Sequence, residues 1–271
     1  MLAPDDPSTI YACYADLWRG TTARPAPGAP PGAPGIEWSN LSNGALGSTI
    51  NCKQVAVAAS DPKTIYAAKS GGLYPGQSFD RSGLTPFFGG GGVYRSRDGG
   101  RSWQSVTGDL PITKAMLSNL AVSASDPQRV WVTFGGYNAG VKVYETRDGG
   151  GTWISISDGL PNVPANTVVA QNVPAQGVFV GTDNGVYYRD DNLGRWVPFK
   201  DHLPGVIISS LQIDNARGRL LAGTFGRGVW QSEIPTSTAK PTRTLQSRPR
   251  IEAAPPMSPE PSYAGPLDVF E

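Results

Sequence analysis

An eight-residue signature that occurs twice is the feature that most restricts how this chain can fold. The two copies span residues 96–103 (SRDGGRSW) and 146–153 (TRDGGGTW). Each has a Ser or Thr, an Asp two positions later, two consecutive glycines, and a second hydroxyl residue directly before a Trp. Two matching segments of this length indicate an internal repeat, which has to be recognised before other structure is assigned.

Weaker copies extend the repeat. In both clear copies a hydrophobic residue stands three positions after the Trp, and a Leu-Pro pair follows. A third copy keeps Asp191, Trp196 and Leu203-Pro204, but has Leu193 and Arg195 where the signature has Gly and a hydroxyl residue. A fourth copy is reduced to three residues, Trp38, Leu41 and Leu46.

A second phrase lies between the copies of the signature. An Asp-Pro pair begins at residues 6, 61 and 126, and a hydrophobic-aromatic pair follows it each time. Val178-Phe179 and Leu220-Leu221 continue the series without the Asp-Pro pair. Units of roughly 40 to 65 residues with four short strands each are typical of a β-propeller. The sequence therefore predicts an all-β fold with about four to five four-stranded antiparallel blades.

The ends of the series predict an incomplete, N-terminally truncated propeller over residues 1–235. Where other units have an inner strand, such as residues 55–59, the first unit has only residues 1–5 before its Asp-Pro pair. The first blade is thus expected to have a clipped inner strand and a disordered third strand. The fifth unit is expected to end at residue 232 without an outer strand, which leaves an open arc unless five blades close.

The last part of the chain has a different composition. Residues 236–271 are rich in Pro, Ser, Thr, Ala and Arg. Such a segment cannot bury enough apolar surface to fold alone, so we expect a disordered tail.

The chemistry of the signature is that of a turn. A carboxylate such as Asp98 or Asp148 accepts hydrogen bonds from its own turn, and glycines supply positive φ at little steric cost. The Trp that follows, Trp103 or Trp153, can bury a large apolar surface against the blade. The structural residues are therefore expected to be Asp98, Gly100, Trp103, Asp148, Gly150, Trp153, Asp191 and Trp196.

This pattern resembles the Asp-box, also called the bacterial neuraminidase repeat. The resemblance covers residues 1–235 and is strongest from residue 92 onward, and the segment 185–230 looks like the final blades of secreted bacterial proteins with sortilin-like or glycosyl-hydrolase-like repeats. In that family the box lies on a peripheral turn between the third and fourth strands, away from the ligand face. The resemblance implies an extracellular or cell-surface protein.

Charge and hydropathy exclude several kinds of partner. The formal net charge is +1, which argues against steering toward nucleic acid or an anionic membrane. No apolar run approaches the roughly 18 residues of a membrane span, and residues 1–6 lack the basic and apolar regions of a signal peptide. We therefore expect neither nucleic-acid binding nor membrane insertion.

We expect binding groups on the loops that join strands two and three. These loops share a face with the loops between blades, and propellers bind their ligands at that face. Two of these loops are long, residues 15–35 and 69–91, and a shorter one contains Tyr137. Aromatic side chains beside charges suit stacking on sugar rings or contact with a protein. The competing interpretation is that these aromatic side chains cover exposed edges of the blades. The candidate ligand-binding residues are Trp18, Arg19, Tyr74, Phe79, Arg81, Phe87, Phe88 and Tyr137.

A glycosidase would need two facing carboxylates. Asp109, Asp158 and Asp201 occupy equivalent positions before a Leu-Pro pair and are interpreted as turn residues of the repeat. This leaves Asp16 and Asp80 as weak catalytic candidates. A sialidase would resemble its family by an Arg-Ile-Pro segment, and the chain has none. A xyloglucanase-like or other glycan hydrolase, with a carboxylate in missing blades, stays open.

The inventory of other reactive groups is small. With His202 alone and two cysteines, neither a zinc site nor a cysteine–histidine pair with good spacing can be assembled, so no metal or cofactor is expected. Cys13 and Cys52 fall at the same face of adjacent blades. They form either a disulfide, which would fit an oxidising compartment, or two small buried thiols.

The sequence thus favours a binding or interaction module that recognises a glycan or a protein through its loop face. The alternative is a fragment of a glycoside hydrolase. A third possibility, an assembly factor like the propellers that help build photosystem II, would need a concentrated basic patch, and the sequence shows none. The oligomeric state is not predicted.

Overall fold

The computed structural model describes residues 1–13, 15–23, 35–47, 52–69, 91–199, 203–215, 217–234 and 252–253. Over these residues the secondary structure is almost entirely β, with one 3-10 turn at Gly44–Leu46.

Five antiparallel sheets follow one another along the chain, and each is called a blade here. Blade 1 comprises β1 (Thr9–Cys13), β2 (Leu17–Ala23) and β3 (Gly35–Asn40). Blade 2 comprises β4 (Cys52–Ala58), β5 (Asp61–Lys69), β6 (Gly92–Ser96) and β7 (Gln104–Ser105). Blade 3 comprises β8 (Leu117–Val122), β9 (Val130–Phe134), β10 (Val143–Thr146) and β11 (Ile154–Ser155). Blade 4 comprises β12 (Ala165–Ala170), β13 (Val178–Thr182), β14 (Gly185–Arg189) and β15 (Val197–Pro198). Blade 5 comprises β16 (Ile208–Asp214), β17 (Arg219–Thr224), β18 (Val229–Glu233) and β19 (Glu252–Ala253).

Within each blade the strands lie side by side in chain order. The second strands of the middle blades, β9 and β13, are buried at every residue. Their sequences, VWVTF and VFVGT, are continuous apolar runs rather than alternating ones, because a strand inside a stack of sheets is covered on both faces. The outer strands β7, β11 and β15 contain only two residues each, which leaves short sheet edges.

Neighbouring blades pack face to face. The innermost named strands of consecutive blades contact one another in series, β1 with β4, β4 with β8, β8 with β12, and β12 with β16. In blade 1 the inner-strand position is represented by Leu2, so β1, β2 and β3 correspond to strands two, three and four of the other blades. Apolar clusters fill the four junctions between consecutive blades. The predicted all-β propeller with about five blades is therefore confirmed. The described strands of blades 1 and 5 do not pack against each other as neighbouring blades do.

Blade 1 differs from the expectation at its third strand. The loop predicted at residues 15–35 contains an ordered third strand, β2, which pairs with β3 from Trp18 opposite Asn40 to Ala23 opposite Gly35. The prediction was wrong because the Pro-rich run obscured two flanking strands of fair β propensity, LWRGTTA and GIEWSN. At the inner-strand position, Leu2 forms an isolated bridge with Ile10.

Blade 5 differs at its outer strand. Two residues of the proposed tail, Glu252 and Ala253, pair with Gln231 and Trp230 of β18. The blade therefore has a fourth strand, contrary to the expectation that it would end at β18. The remainder of residues 236–271 lies outside the described residues, and its disorder stays a prediction.

A disulfide connects blades 1 and 2. Cys13 at the end of β1 is bonded to Cys52 at the start of β4, with a Cα–Cα distance of 5.1 Å. Of the two interpretations left open by the sequence, the structure shows the disulfide. This bond fixes the first blade to the second at the ends of their central strands.

Candidate binding face and the opposite turns

The strand order divides the connections between two ends of the blades. Connections from strand two to strand three share one end with the connections between blades, and we call this end the loop face. Backbone hydrogen bonds link the two kinds of connection there, from Gly135 N–H to the Met116 carbonyl and from Phe225 N–H to the Ile207 carbonyl. The signature turns lie at the other end, the turn face, as the sequence predicts.

On the turn face, the signature forms the hydrogen bonds that its residues suggest. The Asp98 carboxylate accepts bonds from the Ser102 N–H at 2.9 Å, the Ser102 hydroxyl at 2.6 Å and the Ser96 hydroxyl at 2.8 Å. Gly99 and Gly100 adopt φ of 70° and 89°, where an L side chain would be strained. Asp148 repeats this pattern with Thr146 and Thr152. These aspartates build turns.

The same hydrogen bonds determine how the two carboxyls titrate. The hydroxyl and N–H of Ser102, with the Ser96 hydroxyl, lower the pKa of Asp98 to about 2. The hydroxyl of Thr146 and the N–H and hydroxyl of Thr152 lower the pKa of Asp148 to about 2. Hydrogen bonds to the charged form explain both shifts, and no nearby cation is needed.

The signature tryptophans connect consecutive blades. The indole N–H of Trp103 donates to the Leu41 carbonyl of blade 1 at 2.9 Å, and that of Trp153 donates to the Val106 carbonyl of blade 2 at 2.8 Å. Trp196 donates in the same way to the Ile156 carbonyl of blade 3. Each acceptor lies three residues after the Trp position of the preceding blade. The hydrophobic residue at that spacing is therefore part of the blade junction.

The degenerate signature of blade 4 uses its Asp differently. Both carboxylate oxygens of Asp191 accept from the buried Arg129 guanidinium of blade 3 at 2.7 Å. Arg129 also donates to Glu145 at 2.6 Å, and its guanidinium lies 4.9 Å from the Trp131 ring centre. The pKa of Asp191 is lowered chiefly by the Arg129 hydrogen bonds. The local turn is supported instead by Asp190, which accepts from the Leu193 N–H at 2.6 Å.

The described part of the loop face presents exposed apolar side chains. Tyr137 of blade 3 is 68% exposed, as its predicted loop position requires, and Phe225 of blade 5 is 75% exposed. Met116 and Ile207, beside them on the inter-blade connections, are also exposed. Phe225 was not predicted as a binding residue from the sequence, because TFGRGVW resembles one continuous strand. Gly226 and Gly228, both at positive φ, were the available signs of a hairpin turn.

Polar groups stand near these aromatic side chains. The Asn138 amide donates to the Lys114 carbonyl at 2.7 Å, and the Lys142 ammonium donates to the Gly136 carbonyl at 2.7 Å. Burial lowers the pKa of Lys142. In blade 4 the Asn166 amide donates to the Asp183 carboxylate at 2.8 Å. The loop connections are thus held by hydrogen bonds that leave Tyr137 presented to solvent.

The structure places three other predicted site residues in blade 1. Asp16 lies on the loop face between β1 and β2 and accepts from the Asn40 amide at 3.1 Å. Trp18 and Arg19 belong to β2, not to a loop, so their predicted placement was wrong. The Arg19 guanidinium donates to the Gly99 carbonyl of blade 2 at 3.4 Å. The candidates Tyr74, Phe79, Asp80, Arg81, Phe87 and Phe88, like Asp201 and His202, lie outside the described residues.

A shallow pocket of about 150 Å³ lies between blades 1 and 2, away from the loop face. Asp5, Asp6 and Arg19 contribute charged groups to its lining. Asp6 already accepts from the hydroxyls of Ser8 and Thr9 at 2.5 and 2.8 Å. Its carboxylate therefore serves the Asp-Pro turn of blade 1.

Within the described ranges, no group of three or more His, Cys, Asp or Glu side chains could hold a metal ion. In the same part of the chain, no helix has the length and apolarity needed to cross a membrane.

Comparisons with known proteins agree with the fold. The GH74 xyloglucanase from Xanthomonas campestris superposes with a TM-score of 0.58 at 17% identity, over 98% of this chain and 38% of the enzyme. A gluconolactonase from the same organism gives a TM-score of 0.54 at 18% identity, over 84% and 69% of the two chains. The GH74 enzyme of Niastella koreensis gives 0.51 at 14% identity, over 82% and 35%.

These likenesses show the fold alone, because all three identities are below a fifth. The chain spans little more than a third of the length of either GH74 enzyme. No protein-family model matches the sequence. No curated protein matches it either.

Proposed function

We propose that this chain is a binding module of the Asp-box type that recognises a glycan or a protein through its loop face. The observation that supports the proposal most directly is the exposure of Tyr137 and Phe225 at that end of the blades. Flat, exposed aromatic side chains on connections held by a rigid scaffold are suited to stacking on sugar rings or to anchoring a protein.

The engagement of the carboxylates supports binding over catalysis. Asp98 and Asp148 are bonded within their turns on the far side from the loop face. Asp191 is paired with Arg129, and Asp16 accepts from Asn40. A glycosidase needs two carboxylates that face each other across the scissile bond, and these four are used elsewhere.

The disulfide supports an extracellular or cell-surface location for this module. Disulfides persist in oxidising compartments and are rare where thioredoxin and glutathione keep thiols reduced. The Cys13–Cys52 bond closes a loop between two blades and would be lost in a reducing cytosol.

The test is a binding titration that compares two probes, xyloglucan oligosaccharides and a library of extended peptides, by calorimetry. We expect one of the two probes to bind. The variants Tyr137→Ser and Phe225→Ser should each weaken that binding at least tenfold, which corresponds to a loss of about 1.4 kcal/mol of binding free energy. Ile154→Ser is the matched control, because Ile154 is also exposed but lies on the outer strand β11. Equal affinities for all four proteins would contradict a site on the loop face.

A glycan hydrolase is the second candidate, and the fold shared with a xyloglucanase over nearly the whole chain supports it. Release of reducing ends from xyloglucan, lost in Asp16→Asn, would favour this candidate. Binding of the oligosaccharide without release of reducing ends would favour the binding module.

A further inference from the structure

The outward face of blade 1, the face turned away from blade 2, contains exposed apolar side chains. Trp18 is 36% exposed, Trp38 47%, Ile36 42% and Leu2 59%. The register places them on one side of the sheet, because Trp38 lies opposite Gly20, Ile36 opposite Thr22, and Trp18 two residues from Gly20. Tyr11 and Leu17, on the other side, are buried against blade 2.

Blade 1 has the same register as the blades that follow it. In blades 2, 3 and 4, the residue three after the signature Trp donates its N–H to the carbonyl of a Val in strand three, at 2.8 to 2.9 Å. In blade 1, Leu41 donates to the Leu17 carbonyl at 2.8 Å. Trp38 therefore occupies the signature Trp position, and Trp18 occupies the position of the strand-three aromatic.

In blades 2 to 4 these positions are used for contact with the preceding blade. Trp196 and Tyr187 of blade 4 pack into the cluster that contains Trp131 and Val143 of blade 3. Trp103 of blade 2 packs likewise against blade 1. Strand two of each of these blades is also apolar on the side that faces the preceding blade. The residues there are Ile65 and Ala67 in blade 2, Val130 and Val132 in blade 3, and Val178 and Val180 in blade 4. Blade 1 has Ile10 and Ala12 there, opposite Gly20 and Trp18.

Burial separates the equivalent residues. Trp103 and Trp196 are 7% and 5% exposed, whereas Trp38 is 47% exposed. The indole N–H of each of the first two reaches a carbonyl of the preceding blade. The described residues offer no such acceptor to Trp38.

We propose that the outward face of blade 1 receives another blade of the same repeat, one that the described residues do not supply. Its apolar side covers Trp18, Ile36 and Trp38, and a carbonyl three residues after its own signature Trp position accepts the Trp38 indole N–H. The contact continues the junctions that join blades 1 to 4. An apolar patch of this kind is typical of a surface that is covered in the functional protein.

The described part of the chain does not offer this partner. At the required position, the carbonyls of Leu41, Val106 and Ile156 already accept from Trp103, Trp153 and Trp196. The fourth residue at this position, Phe199, is buried in the junction between blades 4 and 5. The outward side of blade 5 has charged and polar groups among its apolar ones. Three cross-strand rows lie on it, namely Ser210, Gly223 and Val229, then Gln212, Leu221 and Gln231, and then Asp214, Arg219 and Glu233. If blade 5 of a second copy docked onto blade 1, the charged side chains of Arg219 and Glu233 would leave water and face apolar side chains, which is unfavourable.

Hydroxyl-radical footprinting with mass spectrometry tests the proposal without any substitution. Recombinant residues 1–271 and the natural protein isolated from its own cells would be labelled in parallel, and the oxidation of Trp38 compared with that of Trp103. We expect Trp38 to be oxidised several-fold faster than Trp103 in the recombinant chain at every protein concentration. In the natural protein, we expect Trp38 to be protected to the level of Trp103.

Two results would overturn the proposal. Equal oxidation of Trp38 in both samples would mean that nothing covers the face. Protection that rises with the concentration of the recombinant chain would mean that a second copy covers it. The control is Phe225, which is exposed on the loop face and should be oxidised equally in both samples unless a loop-face ligand is present.

The occupant is identified by photo-crosslinking from a benzophenone residue placed at Ile36 in the natural protein. A crosslinked peptide with a Trp followed three residues later by a hydrophobic residue supports a blade of this repeat. A crosslinked peptide without that pattern, or from residues 1–271 themselves, contradicts it.

Discussion

Blades 3 and 4 contain an Asp at the same position of the repeat, and the structure gives the two carboxylates different tasks. Asp148 of blade 3 is bonded within its own turn, to the N–H and hydroxyl of Thr152 and the hydroxyl of Thr146. Asp191 of blade 4 leaves its turn and pairs with Arg129 of the neighbouring blade. The turn of blade 4 survives with Asp190 as its acceptor.

The Trp is the component that both blades keep in the same role. Trp153 and Trp196 each donate to a carbonyl of the preceding blade, whatever the Asp does. The repeat is therefore maintained by contact between blades, while the turn before the Trp can be built in more than one way.

The largest effect is expected where the shared contact is broken. Trp103→Ala should lower the free energy of unfolding by about 4 kcal/mol, because it empties a buried site and leaves the Leu41 carbonyl without its donor. Urea unfolding followed by circular dichroism measures this loss. Trp38→Ala, at the equivalent but half-exposed position, is the control and should cost about 1 kcal/mol. Similar losses in the free energy of unfolding for both variants would show that packing of the Trp against the preceding blade does not stabilise the protein.

A smaller effect is expected from breaking the ion pairs at the junction of blades 3 and 4. Arg129→Met should cost about 3 kcal/mol, because it leaves the buried Glu145 carboxylate without its main partner. Arg147, which also contacts Glu145 and Asp191, has a side chain that is 61% exposed. Arg147→Met should therefore cost only about 0.5 kcal/mol. If both arginines cost the same, burial of the pair is not what stabilises this junction.

The local turn of blade 3 should be less sensitive still. Thr146→Val keeps the shape of the side chain but removes the hydroxyl that accepts from the buried Gly150 N–H at 2.9 Å. An unsatisfied buried N–H costs about 1–3 kcal/mol, and thermal unfolding at neutral pH would detect the loss. At the same register of blade 4 stands Arg189, and Arg189→Ala should change stability by about 0.5 kcal/mol or less.

The sequence predicted the local features of the blades, namely the signature turns and the strands beside them. An Asp, two glycines and hydroxyl residues within eight positions specify one turn by their own hydrogen bonds, and the structure has them as expected. The blades followed from the repetition of that turn with its Trp and apolar strands. Tyr137 was placed on the loop face for the same reason, because its loop is short and bounded by two clear strands.

Contacts between distant residues could not be predicted in this way. Arg129 and Asp191 are 62 residues apart, and the sequence around each does not identify the other as its partner. Trp18 looked like a loop aromatic because its place in the repeat becomes clear only through the hydrogen bond between Leu41 and Leu17. The short pairing of β18 with Glu252–Ala253 lies within a Pro-rich composition that gives no strand pattern.

The smallest effect concerns acid, and it distinguishes the two kinds of Asp. The folded-state pKa values of Asp98 and Asp148 are both about 2, below the ordinary 3.8 of the unfolded chain. Their hydrogen bonds therefore add stability that is complete above pH 4 and is lost as the pH falls from about 4 to about 2. Asp148→Asn should flatten the fall of stability in that window, as measured by urea midpoints at a series of pH values.

The effect of salt distinguishes the acid-dependent stability that Asp98 and Asp148 provide from that provided by Asp191. The pKa of Asp191 is lowered chiefly by hydrogen bonds from the Arg129 guanidinium. Asp191 is partly exposed, so high salt should weaken its pairing with Arg129 and Arg147. The turns of Asp98 and Asp148 involve hydroxyls and N–H groups, and their part of the acid transition should change little with salt. An acid transition in Asp191→Asn as salt-sensitive as that of the unmodified chain would contradict the division of tasks between the two carboxylates.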